Sequence, residues 1–259
     1  MTVTPTMVKQ AYVELLKKTV PVNRGSWQSR STDLKTYELS NVRVTFPVSP
    51  YIGVWQNQCG PDLPWAEEHF QERISGKPMN PAPSYVDWPW HSQAARDKFV
   101  RDGEGVFDHT YPERYWPKNA NGGHLTPAGR NTNVPNIGIR FSYGDLGDMI
   151  RQLQNEPFTR QAYLPMFFPE DTGATAGQRV PCSLGYHFIR NGPSLDCNYF
   201  LRSCDITRHF LNDVYMTGRL LQHVTQQARA PHSDTPFVGD LTVFISNLHM
   251  FTQDEWRYE

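Results

Sequence analysis

The last hundred residues carry the pattern that most constrains how this chain can fold. Strand-like runs occur at 183–190, 195–202 and 240–246. Between the second and third runs, residues 210–228 read as a helix with one apolar side. That side consists of Leu211, Val214, Tyr215, Gly218, Leu221 and Val224. A long amphipathic helix among strands is typical of the α+β class, and we predict a mixed β-sheet covered by helices.

The first two thirds of the chain add further elements to this prediction. Apolar residues recur at helical spacing in 7–19, 64–74 and 144–155, which predicts three helices. Residues 34–48 and 160–168 have strand character. The proline in the second of these runs requires an edge position or a bend, because proline donates no hydrogen bond to a sheet.

One long segment has no clear period. Residues 77–137 are rich in proline, glycine, asparagine and tryptophan, which is typical of an irregular active-site segment or an insertion. The 259 residues suffice for one large domain or two small ones. Since no repeat, low-complexity segment or domain boundary is visible, we predict a single catalytic domain over 1–259.

Bulk properties exclude several classes of protein. The 25 basic and 26 acidic residues balance, which argues against an obligate nucleic-acid or polybasic membrane binder. No apolar run is long enough to span a bilayer, and the first residues lack a signal-peptide core. The four cysteines show no CxxC pair and no disulfide-scaffold spacing, so we expect reduced thiols in a cytoplasm. The sequence lacks an HExxH motif, a P-loop and a GxGxxG fingerprint, so neither a metal nor a dinucleotide is expected.

Three places are candidates for chemistry. Cys182 follows a proline at the start of a strand, and a catalytic thiol there needs a positive neighbour to lower its pKa. Residues 201–213, LRSCDITRHFLND, pass from a strand end into a helix and can form a phosphate or oxyanion site. His249 follows a buried-looking strand. Taken singly, each is more often a structural residue than a functional one.

Together these places form a recognisable order, and the chain resembles the thymidylate synthase family from its N-terminal helix to about Trp256. The order is a cysteine at a strand start, an RSxD motif twenty residues on, a helix, and a Gly-Asp pair ten residues before a histidine. The residues that carry it are Cys182, Arg202, Ser203, Asp205, Gly239, Asp240 and His249. The resemblance implies a thymidylate synthase-like fold that forms homodimers through one face of its sheet.

The resemblance also implies roles for these residues. Cys182 is expected to add to C6 of a pyrimidine nucleotide. Arg202 and Ser203 are expected to hold the phosphate, with Arg202 also activating the thiol. Asp205 is expected to act with the catalytic residues, and His249 to bind the sugar.

Two more arginines belong to this set. Arg24, in the segment VNRGSW, matches the arginine of the family's first phosphate loop. Arg160, in NEPFTRQAYL, matches the residue that reaches across the dimer to the phosphate of the partner. A homodimer is therefore expected, with each phosphate site completed by the other subunit.

The base is predicted from Asp213. Synthases carry an asparagine at this point, which pairs with O4 and N3–H of uracil, whereas the sequence Asn212-Asp213 is similar to the deoxycytidylate hydroxymethylase branch. A carboxylate can accept a hydrogen bond from the 4-amino group of cytosine. It cannot form one with O4 of uracil, because both groups are acceptors. Such a buried mismatch costs about 1–3 kcal/mol. An alignment shift of one residue would instead present Asn212 and leave uracil as the base.

The expected reaction transfers a one-carbon unit from 5,10-methylenetetrahydrofolate to C5 of dCMP or CMP, after which water adds to give the 5-hydroxymethyl product. A carboxylate is needed for proton transfers. In PWAEEHF, Glu67 matches the family's glutamate, and Glu68 is the alternative. A synthase or hydroxymethylase that acts on dUMP, and a nucleotide-binding homologue without turnover, are the competing readings.

Several positions depart from the synthase pattern. Ser183 stands where synthases usually have histidine, and Gln161 replaces the second arginine of an interface pair. Phe251 replaces a tyrosine that binds the sugar, which leaves a ribonucleotide substrate open, whereas Ser203 favours a deoxyribonucleotide. The chain ends eight residues after Phe251, so little of the segment that closes over folate in synthases is present. A less sealed site favours water over hydride transfer.

Overall fold

The computed structural model describes residues 3–24, 35–90, 107, 109–119, 144–173, 179–228 and 236–259. Its helices are α1 (Pro5–Leu16), α2 (Ile52–Cys59), α3 (Trp65–Ile74), α4 (Pro83–Val86), α5 (Tyr111–Tyr115), α6 (Leu146–Asn155) and α7 (Phe210–Gln227). Short 3-10 turns lie at Pro117–Asn119, Pro169–Asp171 and Thr252–Tyr258. Its strands are β1 (Thr36–Pro47), β2 (Tyr163–Pro165), β3 (Ser183–Asn191), β4 (Ser194–Leu201), β5 (Cys204–Asp205) and β6 (Phe237–Phe251).

The six strands form one mixed sheet in the order β1-β6-β4-β3-β2. Strand β1 pairs antiparallel with β6 over the whole length of β1, from Thr36 opposite Phe251 to Pro47 opposite Asp240. Strands β3 and β4 form an antiparallel hairpin, and β4 runs parallel to β6. The short strand β5 continues along the same edge of β6, where Asp205 lies opposite His249.

Helix α7 is the centre of the helical layer. It packs on β6 and β4 and is itself covered by α2 and α3. The approach of α2 is close because α7 has a glycine at the contact. A Cβ atom on Gly218 would lie 2.2 Å from Nε1 of Trp55, and that Nε1 donates a 3.1 Å hydrogen bond to the carbonyl of Tyr215. The core therefore lies between this layer and one face of the sheet.

Most predicted elements are confirmed, with the α+β class and the mixed sheet among them. The first helix begins and ends two to three residues earlier than predicted, because Thr4 caps it and Pro5 occupies its first position. The strand predicted at 160–168 is only Tyr163–Pro165. Helix α2 was not predicted. Inside 77–137 the structure describes α4, α5 and a 3-10 turn, while residues 91–106 and 120–143 lie outside the described residues.

No helix in the described ranges combines the length and the apolar character needed to cross a bilayer.

Candidate active site

The β3–β4 hairpin brings Cys182 and Arg202 together. Cys182 immediately precedes β3 and Arg202 immediately follows β4, and Ser183 pairs with Leu201 across the hairpin. The backbone N–H of Arg202 donates to the carbonyl of Cys182 at 2.9 Å. Cys182 and Arg202, twenty residues apart in sequence, are therefore in contact because they occupy the same end of one hairpin.

The guanidinium of Arg202 is fixed beside the thiol. Its Nε donates to the carbonyl of Pro181 at 2.8 Å, and one terminal nitrogen donates to Val180 at 2.9 Å. The same nitrogen lies 3.9 Å from Sγ of Cys182. Two backbone anchors hold the charge in place, so the side chain does not have to be ordered when the thiolate forms.

Cys182 is exposed, whereas the other three cysteines are buried. The surrounding protein raises the pKa of the Cys182 thiol above its usual range, Arg202 opposes that rise, and Asp213 adds to it. A nucleophilic role requires accessibility and a fixed cation, and Cys182 has both. Because the pKa of the thiol is raised, the thiolate is the minor form of Cys182 at neutral pH.

Arg202 and Ser203 lie between β4 and β5, where the parallel pairing of these strands with β6 is interrupted. Strand β4 pairs with β6 as far as Ile245, and β5 resumes the pairing at Leu248. Ser203 therefore reaches across to His249, with its Oγ 3.3 Å from Nδ1 of the imidazole. Burial lowers the pKa of His249, so the ring is neutral at pH 7 and can accept or donate one hydrogen bond.

Asp205 organises the turn that leads from β5 into α7. Its buried carboxylate accepts hydrogen bonds from the backbone N–H of Thr207 at 2.8 Å and of Arg208 at 3.2 Å. Its backbone carbonyl accepts from His209 at 3.0 Å. Asp205 is thus a positioning residue for the start of the helix that carries Asp213.

Asn212 and Asp213 have different environments. Asn212 is buried and bonded to Asp62 twice, since its Oδ1 accepts from the Asp62 N–H at 2.9 Å and its Nδ2 donates to Oδ2 at 2.9 Å. By contrast, no described residue hydrogen-bonds the carboxylate of Asp213. Burial raises the pKa of Asp213 to about 7, and the charge of Arg73 opposes this. The charge of Asp213 is also one of the influences that raise the pKa of the Cys182 thiol.

Helices α3 and α5 add residues that the sequence analysis missed. Arg73 is 3% exposed and lies 4.2 Å above the ring of Tyr111. The hydroxyl of Tyr111 is hydrogen-bonded to Ser183 at 3.0 Å, and Ser183 to Tyr199 at 2.6 Å. Ser183 is the neighbour of Cys182, so this chain of contacts links the inner side of α3 to the nucleophile.

The structure does not bring Glu67 to this place. Its carboxylate accepts from the hydroxyl of Tyr215 at 2.6 Å, and from the guanidinium of Arg219 at 2.9 and 3.1 Å. Both of these partners are buried residues of α7, whereas Glu68 is exposed. The inner side of α3 instead presents His69 and Arg73, one turn apart. Glu67 therefore takes no part in the mechanism proposed below.

The two remaining arginines have different surroundings. Arg24 is bonded to the carboxylate of Glu38 by two of its nitrogens, and this pairing, the largest influence, lowers the pKa of Glu38 to about 2. Glu38 also accepts from Asn247 at 2.9 Å. Arg160 is exposed, and in the described part of the chain its side chain has neither a hydrogen-bond nor an ion-pair partner.

An aromatic surface borders the site. The ring of His209 stacks on Trp88 with centroids 4.9 Å apart and 13° between the planes. The guanidinium of Arg208 lies 5.6 Å from the ring of Trp90. Burial lowers the pKa of His209 to about 4, so this stack is uncharged at neutral pH. A planar heterocycle binds favourably on such a surface.

For some of the site residues that were not predicted, the sequence contains a pattern that could have indicated them, and for others it contains none. His69 and Arg73 are four residues apart on a predicted helix, so they share a face. The carboxylate expected on that helix was assigned to Glu67, and no role was predicted for Arg73. Nothing in the local sequence relates Tyr111 to Ser183, because 72 residues separate them.

No family model matches the chain, and no curated protein matches it. Among the described residues, no group of three or more His, Cys, Asp or Glu side chains is placed to hold a metal ion. The family and the activity are therefore argued from the residues of this site.

Proposed function

We propose that the chain belongs to the thymidylate synthase family and is a pyrimidine nucleotide 5-hydroxymethylase acting on dCMP or CMP. The observation that carries the proposal is the group formed by exposed Cys182, the guanidinium of Arg202 at 3.9 Å and the carboxylate of Asp213. A nucleophile, its activating cation and a carboxylate suited to a pyrimidine edge thus converge on one place.

The nucleophilic step is addition of the Cys182 thiolate to C6 of the base. Arg202 stabilises the thiolate, because a fixed cation near sulfur favours the charged form. The phosphate of the nucleotide is assigned to Arg24, Arg202, Ser203 and Arg160 of the partner subunit. For Arg24 this requires that the phosphate replace Glu38 as the acceptor of its hydrogen bonds.

The base is held by Asp213. Its carboxylate accepts no hydrogen bond from a described residue, so it can accept one from the 4-amino group of cytosine. Because the pKa of Asp213 is raised to about 7, it can also share a proton with N3. Asn212 is committed to Asp62, which supports Asp213 as the residue that reads the base.

5,10-Methylenetetrahydrofolate would supply the one-carbon unit. The stacked pair of Trp88 and His209 fits a flat pterin, since it presents aromatic faces beside the start of α7. The hydroxyl of Tyr111, hydrogen-bonded to Ser183 beside the nucleophile, is the group that we assign to proton relay near C5.

A homodimer completes the proposal. The face of the sheet opposite the helices carries Phe200 and Phe244, stacked with centroids 5.0 Å apart, and Arg43 lies 5.5 Å from the ring of Phe244. These half-covered aromatic side chains suit an isologous contact between sheets. The exposed Arg160 would then reach the phosphate of the partner.

The test is release of tritium from C5 of labelled dCMP, CMP and dUMP, each with methylenetetrahydrofolate, and identification of the product by mass. We expect release from a cytidylate and a product heavier by one CH₂O unit. The Cys182→Ser variant serves as the blank. Release of tritium from dUMP alone would mean that the protein acts on uridylate and not on cytidylate. A product heavier by CH₂ would mean that it is a synthase. If no nucleotide loses tritium, the enzymatic proposal is wrong.

A further inference from the structure

A row of polar side chains leads from the nucleophile across the sheet to β1. The guanidinium of Arg202 lies beside the thiol of Cys182. In the next residue, Oγ of Ser203 lies 3.3 Å from Nδ1 of His249. His249 is directly opposite Glu38 in the antiparallel pairing of β6 with β1. Side chains of directly opposite residues project from the same face, with Cβ atoms about 4.5–5.5 Å apart, so Glu38 is the next member of the row.

Glu38 carries an ionised carboxylate at the far end of this row. Its side chain is 10% exposed, and hydrogen bonding to Arg24 lowers the pKa of Glu38 to about 2. Arg24 donates to both carboxylate oxygens. Oε1 also accepts from the hydroxyl of Thr36 at 2.7 Å, and Oε2 accepts from the amide of Asn247 at 2.9 Å. A carboxylate has about four acceptor sites, so Thr36 and Asn247 alone leave two of them open.

The sugar of a bound nucleotide lies beside this row in the proposed complex. There the base is bonded to Cys182, and the phosphate draws Arg24 away from Glu38 to join Ser203. The sugar is bonded to both the base and the phosphate, so its hydroxyls face the polar side chains that follow Ser203 in the row. These are His249 and Glu38. Phe251 lies next to them, with its ring centroid 5.6 Å from that of His249, and it carries no hydroxyl group.

We propose that Glu38 binds the 2′- and 3′-hydroxyls of a ribose and thereby makes the site prefer the ribonucleotide CMP to dCMP. The inference rests on the proposed function and deepens it, because it chooses between the two sugars that the proposed function left open.

The preference follows from the number of donors that each sugar offers. The cis-diol of ribose presents two adjacent O–H groups, which match the two acceptor sites that Arg24 leaves open on one carboxylate. Deoxyribose presents only one of these groups, so an acceptor site of the largely buried Glu38 stays unpaired. Leaving a buried charged acceptor unpaired costs more than a typical hydrogen bond contributes.

Two other roles for Glu38 make different predictions. If Glu38 only pairs with Arg24, its removal frees the arginine for the phosphate and strengthens the binding of both nucleotides equally. If Glu38 only stabilises the pairing of β1 with β6, its removal weakens the binding of both equally. A contact with the 2′-hydroxyl, by contrast, changes the ratio of the two dissociation constants.

The experiment measures the Kd values of CMP and dCMP for the intact protein and for Glu38→Gln at neutral pH. We expect the intact protein to bind CMP about tenfold or more tightly than dCMP, which is the effect of one hydrogen bond to a charged group. Glu38→Gln should bring the two Kd values within about threefold of each other, with dCMP bound at least as tightly as by the intact protein. Glu14→Gln removes an exposed carboxylate from α1 and controls for net charge. An unchanged ratio in folded Glu38→Gln overturns the proposal.

A second measurement needs no variant and does not depend on the base. UMP and dUMP differ in the same hydroxyl, so for the intact protein the Kd ratio of dUMP to UMP should match that of dCMP to CMP. If dCMP binds as tightly as CMP, the inference is wrong even where tritium release from a cytidylate supports the proposed function. If the ribonucleotides bind more tightly but no labelled nucleotide loses tritium, the proposed function is wrong and the sugar contact is supported.

Discussion

At the scale of single residues, two opposing influences act on the pKa of Cys182 at its contact with Arg202. The protein around the thiol raises its pKa, and the guanidinium 3.9 Å away opposes that rise without overcoming it. Arg202 is also the residue that joins the two strands' ends, through its bonds to Pro181 and Val180. Its charge and its structural role can be separated by a conservative substitution.

Alkylation of Cys182 measures the charge effect directly. Because only the thiolate reacts and its pKa is raised, the iodoacetamide rate should climb about tenfold per pH unit through pH 8. Arg202→Met should slow alkylation at pH 8 about three- to tenfold, and Arg202→Lys should restore most of the rate. Cys182→Ser should abolish fast labelling, since the other cysteines are buried. An Arg202→Met protein that is alkylated at the original rate would contradict the role of this arginine.

Asp213 makes the folded protein less stable at high pH. Its pKa is about 7 in the folded chain and about 3.9 in an unfolded one, so the folded state binds the extra proton between these values. Stability from this group is therefore full below about pH 4 and is lost as pH rises through 7. If Asp213 binds the base as proposed, the raised pKa reflects a carboxylate that serves ligand binding at the expense of stability.

Asp213→Asn should remove this pH dependence. At pH 8 the variant should exceed the intact protein in free energy of unfolding by on the order of 2 kcal/mol, because no charge is then buried. At pH 4 the difference should vanish or change sign. Urea unfolding at the two pH values checks this. If Asp213→Asn is less stable at pH 8, then the carboxylate has a native partner and our account of the base site fails. The amide should also favour uridylate, since it can donate to O4.

At the scale of elements, α3 and α7 are linked by an ion pair and one added hydrogen bond. Glu67 on α3 accepts from Arg219 and Tyr215 on α7, and Gln71, on α3 itself, donates to the same carboxylate at 2.8 Å. These contacts lower the pKa of Glu67 against the effect of its partial burial. The arrangement is that of a clamp between helices, and the carboxylate has no capacity left for a substrate.

Glu67→Gln tests whether this clamp is structural or catalytic. We expect a loss of about 0.5–1 kcal/mol in the free energy of unfolding, because the pair is partly exposed, and turnover within about threefold of the original. Glu68→Gln, one residue along and exposed, is the matched control and should change neither quantity. A loss of a hundredfold or more in turnover with an intact fold would restore Glu67 as a catalytic residue.

The elements themselves were largely predictable from the sequence, and the reasons are local. Helix α7 and the strands around it have strong periodic patterns, and burial follows those patterns. Helix α2 was not predicted because it is short. Neither the helix nor the residues directly beside it carry charges or a clear apolar stripe. The run at 160–168 contains two bends, so that only Tyr163–Pro165 pairs with β3.

The contact within the candidate site that the sequence makes easiest to predict is the one formed by a hairpin. Cys182 and Arg202 meet because β3 and β4 are adjacent in sequence. Arg73, Tyr111 and Ser183 come from three distant segments, and their contacts depend on how α3 and α5 pack, which no periodicity encodes. Asp62 likewise became relevant only through its bonds to Asn212.

At the scale of the whole molecule, the proposed phosphate site is incomplete within one chain. Arg24 is paired with Glu38, and Arg160 is exposed. The sheet face opposite the helices carries the Phe200–Phe244 stack and is not covered by a described helix. Both features are explained at once if two chains pack sheet to sheet and each donates Arg160 to the other, which makes a mixed dimer the decisive test.

Arg160→Ala and Cys182→Ser should each abolish turnover alone, the first by weakening phosphate binding and the second by removing the nucleophile. After unfolding and refolding of an equal mixture, half of the dimers contain one chain of each kind. In these, one site has two intact contributors and the other has two defects. Activity should therefore return to about a quarter of the original, whereas the separately refolded variants stay inactive. If Arg160 and Cys182 instead serve the same site within one chain, the mixture should recover no activity. Sedimentation of the protein as a monomer would exclude any sharing of Arg160 between chains.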